Sequence, residues 1–273
     1  MKKIAVLGPK GTYCDIACHN YINGRLDYEI NYYPSIIKTA QGLKENDLAI
    51  IPFENTLDGF VVEGLDQIIA NQYWINRQLK LDIDFAFVSN ANSINEVKTC
   101  YCQFKAYGQC LDFITENGFS ICTTESNVES LNLLNKSDSS YGAIIPMHLI
   151  NRYKFNITKA HIADSRNNET RFVVISNDRH SLPESNNLEA SIVIEAYEDR
   201  PGILYDILKQ FHEANINLKS IMSRPLKTEM GKYKFYVECS INSKNLISLN
   251  SVKSNIEKNN NSNVVILGIY DSI

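Results

Sequence analysis

The sequence predicts an α/β protein in two parts, a larger α/β region followed by a smaller ferredoxin-like domain. Within residues 1–178, short apolar runs alternate with amphipathic segments, an order typical of a largely parallel sheet covered by helices. Residues 179–188 are polar and contain Pro183, which indicates a linker. Over residues 189–273 the apolar pattern follows the order β-α-β-β-α-β. A chain of 273 residues has room for both domains.

In the first region, the predicted strands are short apolar runs with the composition of buried strands: KIAVLG, LAIIPF, IDFAFV, FSICT, YGAIIP and RFVVIS. Apolar residues at helical spacing predict helices over residues 34–45, 60–72 and 104–117. Another helix is expected after Thr124, which is a suitable N-cap.

In the second region, EASIVIEAY alternates as a half-buried strand does. One face of the helix that follows is apolar and carries Ile203, Leu204, Ile207, Leu208 and Phe211. Two strands come next, INLKSIMSRPL and KYKFYVECSI, then a helix with apolar positions at Leu246, Leu249, Val252 and Ile256. NVVILGIY is the last strand, and KNNNSN at 258–263 is expected to be a solvated loop.

Charge and composition exclude several classes of function. The net charge is −4 and basic residues are not clustered, so a nucleic-acid surface is not expected. No apolar run approaches the length of a membrane span, and the apolar stretch after Lys3 stops at Gly8, too early for a signal peptide. We therefore expect a cytoplasmic protein with no membrane partner.

Seven cysteines occur, an odd number that favours free thiols over a disulfide framework. Their spacings, C-x3-C and C-x-C, are not those of zinc sites, and the five histidines show no metal spacing. Burial as small hydrophobic residues is the expected role of the cysteines, and no metal site is predicted.

Two polar segments follow predicted strands and open helices. GPKGTY (8–13) offers backbone N–H groups at a helix start, which attract anions, but it matches no nucleotide-binding motif. An ordinary strand-to-helix turn accounts for it equally well. In IPFENTLDGFVVEGLD (51–66), Glu54, Asn55 and Thr56 crowd the loop after a strand, where ligands of parallel sheets usually bind. Helix capping explains the Asn and Thr equally well.

NNETRF (167–172) combines amides, a hydroxyl and a cation at the start of an apolar strand. Arg171 can hold a carboxylate with two parallel hydrogen bonds. For an isolated arginine, an ion pair with a local acid such as Asp164 or Glu169 is the more frequent arrangement. The sequence shows no nucleophile–base pair and no G-x-S-x-G elbow. These segments suit binding of a small carboxylate, or an elimination that needs one hydrogen-bonding acid.

Taken in order, the motifs resemble those of the prephenate dehydratase family. GPKGTYCDIA is similar to the family's G-P-x-G-T-[FY]-S, IPFENTLDGFVVEGLD to its P-[IF]-E-N-[ST]-x-x-G-x-V-x-x-x-L-D, and IADSRNNETRF to its I-x-D-x-x-x-N-x-T-R-F. PGILYDILKQFHEANINLKSIMSRP resembles the first helix and second strand of the ACT domain that follows in this family. The match covers nearly the whole chain.

The resemblance implies a periplasmic-binding-protein-like catalytic domain of two α/β lobes, with the substrate in the cleft between them. The implied reaction converts prephenate into phenylpyruvate, with loss of water and carbon dioxide and without a cofactor or metal. By motif position, Thr170 assists departure of the ring hydroxyl. Arg171, with the backbone amides of Gly11 and Thr12, holds the substrate carboxylates.

Other residues receive supporting roles from the same resemblance. Asn55 and Thr56, with Glu54, bind and orient the substrate, and Phe172 packs the site and excludes water. No chorismate mutase-like helical segment precedes the first motif in this sequence, so a monofunctional enzyme is expected. ACT domains of this family pair edge to edge, which implies a homodimer or homotetramer.

The second domain is expected to bind L-phenylalanine as a feedback inhibitor. The effector-binding positions implied by the resemblance are Gly202, Ile203, Leu204, Asn215, Ser223, Arg224 and Pro225. The family's G-A-L-V turn reads Gly202-Ile203-Leu204-Tyr205 here, and its E-S-R-P strand end reads Met222-Ser223-Arg224-Pro225. Met222 lacks the usual carboxylate, so a different effector, or a domain that only builds the dimer, is an alternative.

The catalytic region also departs from the family pattern at three places. Cys14 replaces a serine, Phe85 replaces a frequent histidine, and Gln103-Phe104 replaces His-Pro. Two alternatives to the main prediction remain open: an arogenate dehydratase, whose substrate differs by an amino group, and a non-catalytic two-lobed amino-acid sensor. A sensor would not need the hydroxyl of Thr170.

Overall fold

The computed structural model describes residues 1–180, 182, 185, 187–198, 200–226, 233–242 and 245–271. Within these residues, ten strands form one continuous sheet and five strands form a second. We call the α/β unit around the first part of the large sheet lobe 1, the unit around the five-stranded sheet lobe 2, and the unit after residue 187 the C-terminal domain.

Lobe 1 contains β1 (Lys2–Leu7), α1 (Tyr13–Ile22), β2 (Tyr28–Tyr33), α2 (Ile36–Gln41), β3 (Leu48–Asn55), β4 (Gly59–Phe60), α3 (Val62–Asn71), β5 (Trp74–Asp82) and β11 (Glu169–Ser176). The order across its sheet is β5-β11-β3-β1-β2, with β4 paired to β3. β1 runs parallel to β2 and β3, whereas β11 runs antiparallel to β3 and β5. The sheet is therefore mixed, which corrects the prediction of a largely parallel one.

Lobe 2 contains β6 (Phe85–Ser89), β7 (Thr99–Gln103), α4 (Phe104–Gly108), α5 (Leu111–Asn117), β8 (Ser120–Thr124), α6 (Asn127–Leu134), β9 (Tyr141–Pro146) and β10 (Ile157–Lys159). Its strand order is β10-β6-β9-β7-β8. The chain enters this lobe between β5 and β6 and returns between β10 and β11. The two-lobed α/β arrangement is thus the predicted one.

Local boundaries differ from the sequence-based expectations in lobe 2. The helix expected over residues 104–117 is two helices, because Gln109 and Cys110 leave the helical path between α4 and α5. Ser126, not Thr124, caps α6: its hydroxyl accepts the backbone N–H of Glu129. Thr124 instead ends β8.

The C-terminal domain contains β12 (Leu188–Ala196), α7 (Ile203–Glu213), β13 (Leu218–Pro225), β14 (Tyr233–Ile241), α8 (Leu246–Asn259) and β15 (Ser262–Tyr270). The strand order β13-β14-β12-β15, antiparallel throughout, is the ferredoxin-like arrangement that was predicted. The expected KNNNSN loop is shorter than predicted, because α8 extends to Asn259 and β15 begins at Ser262. Parts of the predicted linker, residues 181, 183, 184 and 186, lie outside the described residues.

The sheet of the C-terminal domain meets that of lobe 1 at a glycine, Gly268. β15 pairs in parallel with β5 at Gly268 and Ile75. A Cβ at position 268 would lie 2.4 Å from the Ile75 carbonyl oxygen, so a side chain at this position would force the strands apart.

One hydrophobic core is shared by lobe 1 and the C-terminal domain. It combines Phe53, Val173 and Ile175 of lobe 1 with Tyr236 and Tyr270 of the C-terminal domain. The opposite face of the lobe 1 sheet packs on α1, where Phe172 and Val174 are buried. Because strand residues alternate between faces, odd and even positions of β11 contribute to different cores.

Candidate active site

β3 and β11 bring the predicted catalytic threonine beside the predicted substrate-binding asparagine. The strands pair antiparallel, with Thr170 opposite Asn55 and Arg171 opposite Glu54. β3 ends at Asn55 and β11 begins at Glu169, so these side chains lie at the same end of the sheet.

The amide of Asn55 orients the hydroxyl of Thr170. Asn55 Nδ2 donates to Thr170 Oγ1 at 2.9 Å and to Asn168 Oδ1 at 2.7 Å. Its Oδ1 accepts the backbone N–H groups of Leu57 at 3.0 Å and Asp58 at 3.1 Å, which fixes the amide orientation. Thr170 therefore uses a lone pair to accept. Among the described residues no protein atom accepts its hydroxyl hydrogen, which leaves this hydrogen able to donate to a bound ligand.

Thr56 ties together the two loops that carry this pair. Its backbone N–H donates to the Glu169 carbonyl at 2.9 Å, and its hydroxyl donates to the Asn167 carbonyl at 3.1 Å. The same hydroxyl accepts the Glu169 N–H at 2.9 Å. The Thr56 hydroxyl thus holds the loops in position and is already occupied on both sides.

These loops border lobe 2. Contacts from them and from the loop after β1 cross to that lobe: Asn168 Nδ2 to Gln109 Oε1 (2.9 Å), Asp58 Oδ2 to Lys105 Nζ (3.5 Å) and the Gly11 carbonyl to His148 Nε2 (2.9 Å). Asn168 therefore links Asn55 directly to lobe 2. The position suits a site at the boundary between the lobes.

Phe172 lies on the same face of β11 as Thr170, two residues along the strand. Its side chain is buried in the core between the sheet and α1. Phe172 thus belongs to the core under the strand end that carries Thr170, and its packing role at the site stays a prediction.

The predicted anion site at the start of α1 is filled by a protein carboxylate. The Gly11 N–H donates to Asp15 Oδ2 at 2.8 Å, and Asp15 is buried. Thr12 is the N-cap of α1, and its hydroxyl accepts the Asp15 N–H. The Gly11 amide is consequently not free to hold a substrate carboxylate in this conformation. Gly11 itself has a φ of 94°, a backbone conformation that glycine adopts easily.

Arg171 faces away from Thr170. Consecutive strand residues point to opposite sides of a sheet, and Arg171 lies on the side shared with the C-terminal domain. Its guanidinium carbon is 5.0 Å from the ring centre of Phe53 and 5.7 Å from that of Phe60. The sequence analysis gave Thr170 and Arg171 roles on the same bound substrate, but the alternation of β11 points their side chains to opposite faces of the sheet.

Arg171 is buried among three carboxylates, and of these the sequence analysis selected only Glu54, as a substrate-binding residue. Nη2 lies 2.8 Å from Glu54 Oε2 and 2.7 Å from Glu238 Oε2, and Nη1 lies 3.5 Å from Glu189 Oε2. Gln78 Oε1 accepts a further hydrogen bond from Nη1 at 3.2 Å.

The two local acids named as its partners are used elsewhere. Asp164 accepts the N–H groups of Leu111 and Asp112 at the start of α5, and Glu169 pairs with Lys80. Burial acts to lower the pKa of Arg171, but attraction by Glu238 and Glu54 outweighs it and raises that pKa above its ordinary value.

The sequence gives only a weak indication that Glu238 is a buried, paired carboxylate. It is an acid inside the apolar run FYVECSI, and an acid in a buried strand requires a partner. Nothing in the sequence indicates that this partner is Arg171, which belongs to a different domain.

A cavity of about 330 Å³ lies where lobe 1 meets the C-terminal domain. Arg171, Glu54 and Asn55 line it from lobe 1, and Glu189, Lys219 and Glu238 line it from the C-terminal domain. Thr170 is not among the lining residues. The cavity lies on the face of the sheet to which Arg171 points, and Asn55, Thr56 and Glu169 of the loops beside Thr170 also line it.

The departures from the family motifs fall at two buried positions, one helix cap and one exposed position, Phe104. Cys14 and Phe85 are buried, and burial raises the pKa of the Cys14 thiol to about 12, which makes it unreactive at neutral pH. The Gln103 side chain caps α4 by accepting the N–H of Lys105 at 2.8 Å. Six of the cysteines are buried, as predicted, and Cys122 is exposed.

The predicted effector residues divide between two ends of the C-terminal domain. Gly202 caps α7 in the left-handed region, next to the buried Ile203 and the partly buried Leu204. Glu195 is near the end of β12 that leads to α7, and it pairs with Lys234 of β14. Arg224 of β13 pairs with the same Lys234, so the segment Ser223–Pro225 lies at the same end of the sheet as Gly202.

Asn215 lies at the opposite end, just before Leu218, which pairs with Cys239. Arg224 also reaches lobe 1, where its guanidinium binds both carboxylate oxygens of Asp66 in α3 at 2.9–3.1 Å. The predicted effector segment is thus in direct contact with lobe 1.

Within the described residues, no three His, Cys, Asp or Glu side chains come together in a way that could hold a metal ion. None of the helices in this part of the chain combines the length and apolar content needed to cross a bilayer.

Comparisons with known proteins agree with the motifs and with the fold. The family model "Prephenate dehydratase" matches residues 4–180. The prephenate dehydratase of Methanocaldococcus jannaschii is 35% identical over 243 residues, which cover 87% of this chain and 88% of that protein.

Solved structures give the same result. The prephenate dehydratase of Staphylococcus aureus is 28% identical, with a TM-score of 0.82 over 99% of this chain and 100% of that one. The enzyme of Arthrobacter aurescens, solved in complex with L-Phe, shares the fold at 23% identity, with a TM-score of 0.84 over 98% of this chain and 89% of that one. The family match over most of the sequence, the similar relative and the common fold together show that the chain belongs to the prephenate dehydratase family.

Proposed function

We propose that this chain converts prephenate into phenylpyruvate, a step of L-phenylalanine biosynthesis, as a lyase. In this reaction the bond between the ring and its carboxylate breaks and releases carbon dioxide. The electron pair of that bond enters the ring, and the ring C–O bond breaks. The departing hydroxide takes up a proton and leaves as water, so the ring becomes aromatic.

The observation that carries the proposal is the orientation of the Thr170 hydroxyl. Asn55 donates to its oxygen, so its hydrogen can point toward an acceptor outside the protein. The departing hydroxyl of the substrate is such an acceptor. A threonine hydroxyl is a weak acid, so it acts by hydrogen-bond stabilisation of the developing negative charge more than by full proton transfer.

Neighbouring residues support this donor. Asn55 sets the direction of the hydroxyl, Thr56 holds the two loops together, and Phe172 keeps water from the ring. The Gly11 amide can receive a substrate carboxylate only if Asp15 moves away from it, and the Thr12 amide only if it releases the Pro9 carbonyl. Glu54 and Arg171 belong to the opposite face of the strands and act without touching the substrate.

The decisive assay supplies prephenate to the purified chain and follows phenylpyruvate by absorbance. Formation of phenylpyruvate supports the proposal, and no product from folded protein contradicts it. Arogenate supplied in parallel separates the two dehydratases, because that substrate yields phenylalanine. A chain that binds aromatic amino acids but converts neither substrate is a sensor.

Regulation by L-phenylalanine is part of the proposal. The Arthrobacter aurescens structure with L-Phe supports it, as do Gly202 and the Ser223–Pro225 strand end at one end of the C-terminal domain. Met222 differs from the family glutamate, so calorimetry with phenylalanine, tyrosine and methionine identifies the effector. Binding heat from none of them would leave a domain that only builds the dimer.

The proposed organisation is a catalytic domain over residues 1–178, a linker over 179–188 and a regulatory ACT domain over 189–273. We expect a cytoplasmic homodimer or homotetramer. Among the described strands, β13 is the outermost of the large sheet, and its outer edge could pair with a second copy. Light scattering coupled to size exclusion measures the number of copies.

A further inference from the structure

A buried ion pair connects the catalytic strand β11 with the C-terminal domain. Arg171 Nη2 lies 2.7 Å from Glu238 Oε2, and both residues are less than 10% exposed. The same Nη2 lies 2.8 Å from Glu54 of β3. One guanidinium group therefore joins two strands of lobe 1 to β14 of the C-terminal domain.

Glu238 is held rigidly within its own domain. Its Oε1 accepts hydrogen bonds from the Tyr236 hydroxyl at 2.9 Å and from the Tyr270 hydroxyl at 3.2 Å. Both tyrosine hydroxyls also lie 2.7 Å from Ser191 Oγ. These partners come from β12, β14 and β15, so the carboxylate position is set by the C-terminal sheet as a whole.

A second set of contacts surrounds the pair. Gln78 of β5 donates to Glu189 of β12 at 2.9 Å and accepts from Arg171. Lys219 of β13 lies 2.5 Å from Glu189. The network therefore continues across the domain boundary on more than one strand.

Arg171 and its partner Glu54 are each next in sequence to one member of the proposed active-site pair. Thr170 precedes Arg171, and Asn55 follows Glu54, while the two pairs face each other in the strand register. The ion pair of Arg171 with Glu54 therefore holds the two strand segments that carry Thr170 and Asn55 against each other. Breaking a buried ion pair is costly, so the C-terminal domain limits shifts of these segments.

We propose that Glu238 of the C-terminal domain is a positioning residue for the reaction: through Arg171 and Glu54, it fixes Thr170 and Asn55 in their productive arrangement. This inference rests on the proposed function. It assigns the C-terminal domain a part in the basal reaction, in addition to binding an effector. Glu238 acts through Arg171 and does not touch the substrate.

The test begins with Glu238→Gln, which retains an acceptor for the tyrosine hydroxyls and removes the charge that faces Arg171. Because displacement of a catalytic group by about 1 Å can cost on the order of 100-fold in rate, we expect kcat to fall about tenfold or more. KM for prephenate should change by less than about twofold, since ground-state binding is retained.

Glu195→Gln is the matched control. Glu195 lies on β12 and pairs with Lys234 at 3.1 Å, an ion pair within the C-terminal domain. Its kcat should equal that of the wild type. Circular dichroism and thermal unfolding of each variant confirm that the compared proteins are folded.

A double-mutant cycle tests whether Glu238 acts through Arg171. If it does, Arg171→Met combined with Glu238→Gln should lower kcat no further than Arg171→Met alone. Multiplicative losses would overturn the inference, as would a Glu238→Gln variant with the kcat of Glu195→Gln.

Hydrogen exchange separates this inference from the proposed function. Amides in residues 167–172 should exchange about tenfold faster in Glu238→Gln than in the wild type or Glu195→Gln, because local opening becomes easier. This readout needs no substrate. A wild type that leaves prephenate unchanged contradicts the proposed function, whereas unchanged exchange in Glu238→Gln contradicts the positioning role.

Discussion

Asn55 Nδ2 lies 2.9 Å from Thr170 Oγ1, although 115 positions separate the two residues in the sequence. The contact exists because β3 and β11 are neighbours in the sheet and place these residues opposite each other. It sets the direction of a hydroxyl whose hydrogen has no acceptor among the described residues. The first prediction follows from this pair.

Thr170→Ala should lower kcat by the equivalent of about 2.7–4 kcal/mol, the usual loss when one donor to a developing oxyanion is removed. Thr170→Ser should retain much of the activity, because it keeps the hydroxyl that Asn55 orients. The measurement is kcat of the folded variants with prephenate. An alanine variant with near wild-type turnover would refute the role of the hydroxyl.

Arg171→Met should destabilise the fold by about 3–5 kcal/mol, because it leaves the buried Glu238 carboxylate without its cation. Arg77→Met provides the control: its ion pair with Asp271 also joins lobe 1 to the chain end, but the Arg77 side chain is 38% exposed. Its loss should cost about 1 kcal/mol or less. Urea unfolding measures the free energy of unfolding of the two variants. Equal losses would show that the buried Arg171 pair contributes no more to stability than the exposed Arg77 pair.

Gly268→Ala should weaken the junction between the two sheets. The added Cβ would lie 2.4 Å from the Ile75 carbonyl oxygen, and crowding of this kind costs roughly 1–3 kcal/mol. Gly108→Ala is the matched control, since a Cβ there meets no neighbouring atom within 4 Å and lies in α4. The free energy of unfolding should fall only in the first variant. A Gly268→Ala protein as stable as the wild type would show that the strands can separate without cost.

His148 should make the protein sensitive to mild acid. Its pKa is lowered, chiefly because burial disfavours the imidazolium, although the Gly11 carbonyl opposes this. The unfolded chain, with a histidine pKa near about 6.5, therefore gains a proton before the folded one does. Stability present at neutral pH should be lost as the pH falls below about 6.5, toward the lower folded pKa.

His148→Gln tests this pH dependence, because glutamine can also donate to the Gly11 carbonyl and does not titrate. Urea unfolding at neutral pH and in mild acid should show a smaller loss of stability in the variant than in the wild type. The comparison removes the contribution of the carboxylates, which both proteins share. Equal losses would mean that His148 does not contribute.

The apolar patterns of the sequence determined the main elements of this protein. Predicted strands such as RFVVIS and the β-α-β-β-α-β order of the C-terminal domain are present, because strand and helix periodicity are local properties. The motifs determined the family. β2, β5 and β7 were not predicted. A largely parallel sheet was expected, but β11 runs antiparallel to both neighbours, since strand direction depends on connections that local patterns do not reveal.

Only the tertiary structure decided what Arg171 holds. Strand alternation, a local rule, already places Thr170 and Arg171 on opposite faces, but it does not say what covers each face. The partner of Arg171 is Glu238, 67 positions along the chain and in another domain. Long-range pairing of buried charges depends on how whole sheets join, here at Gly268 and Ile75, and so it appears only when the chain is folded.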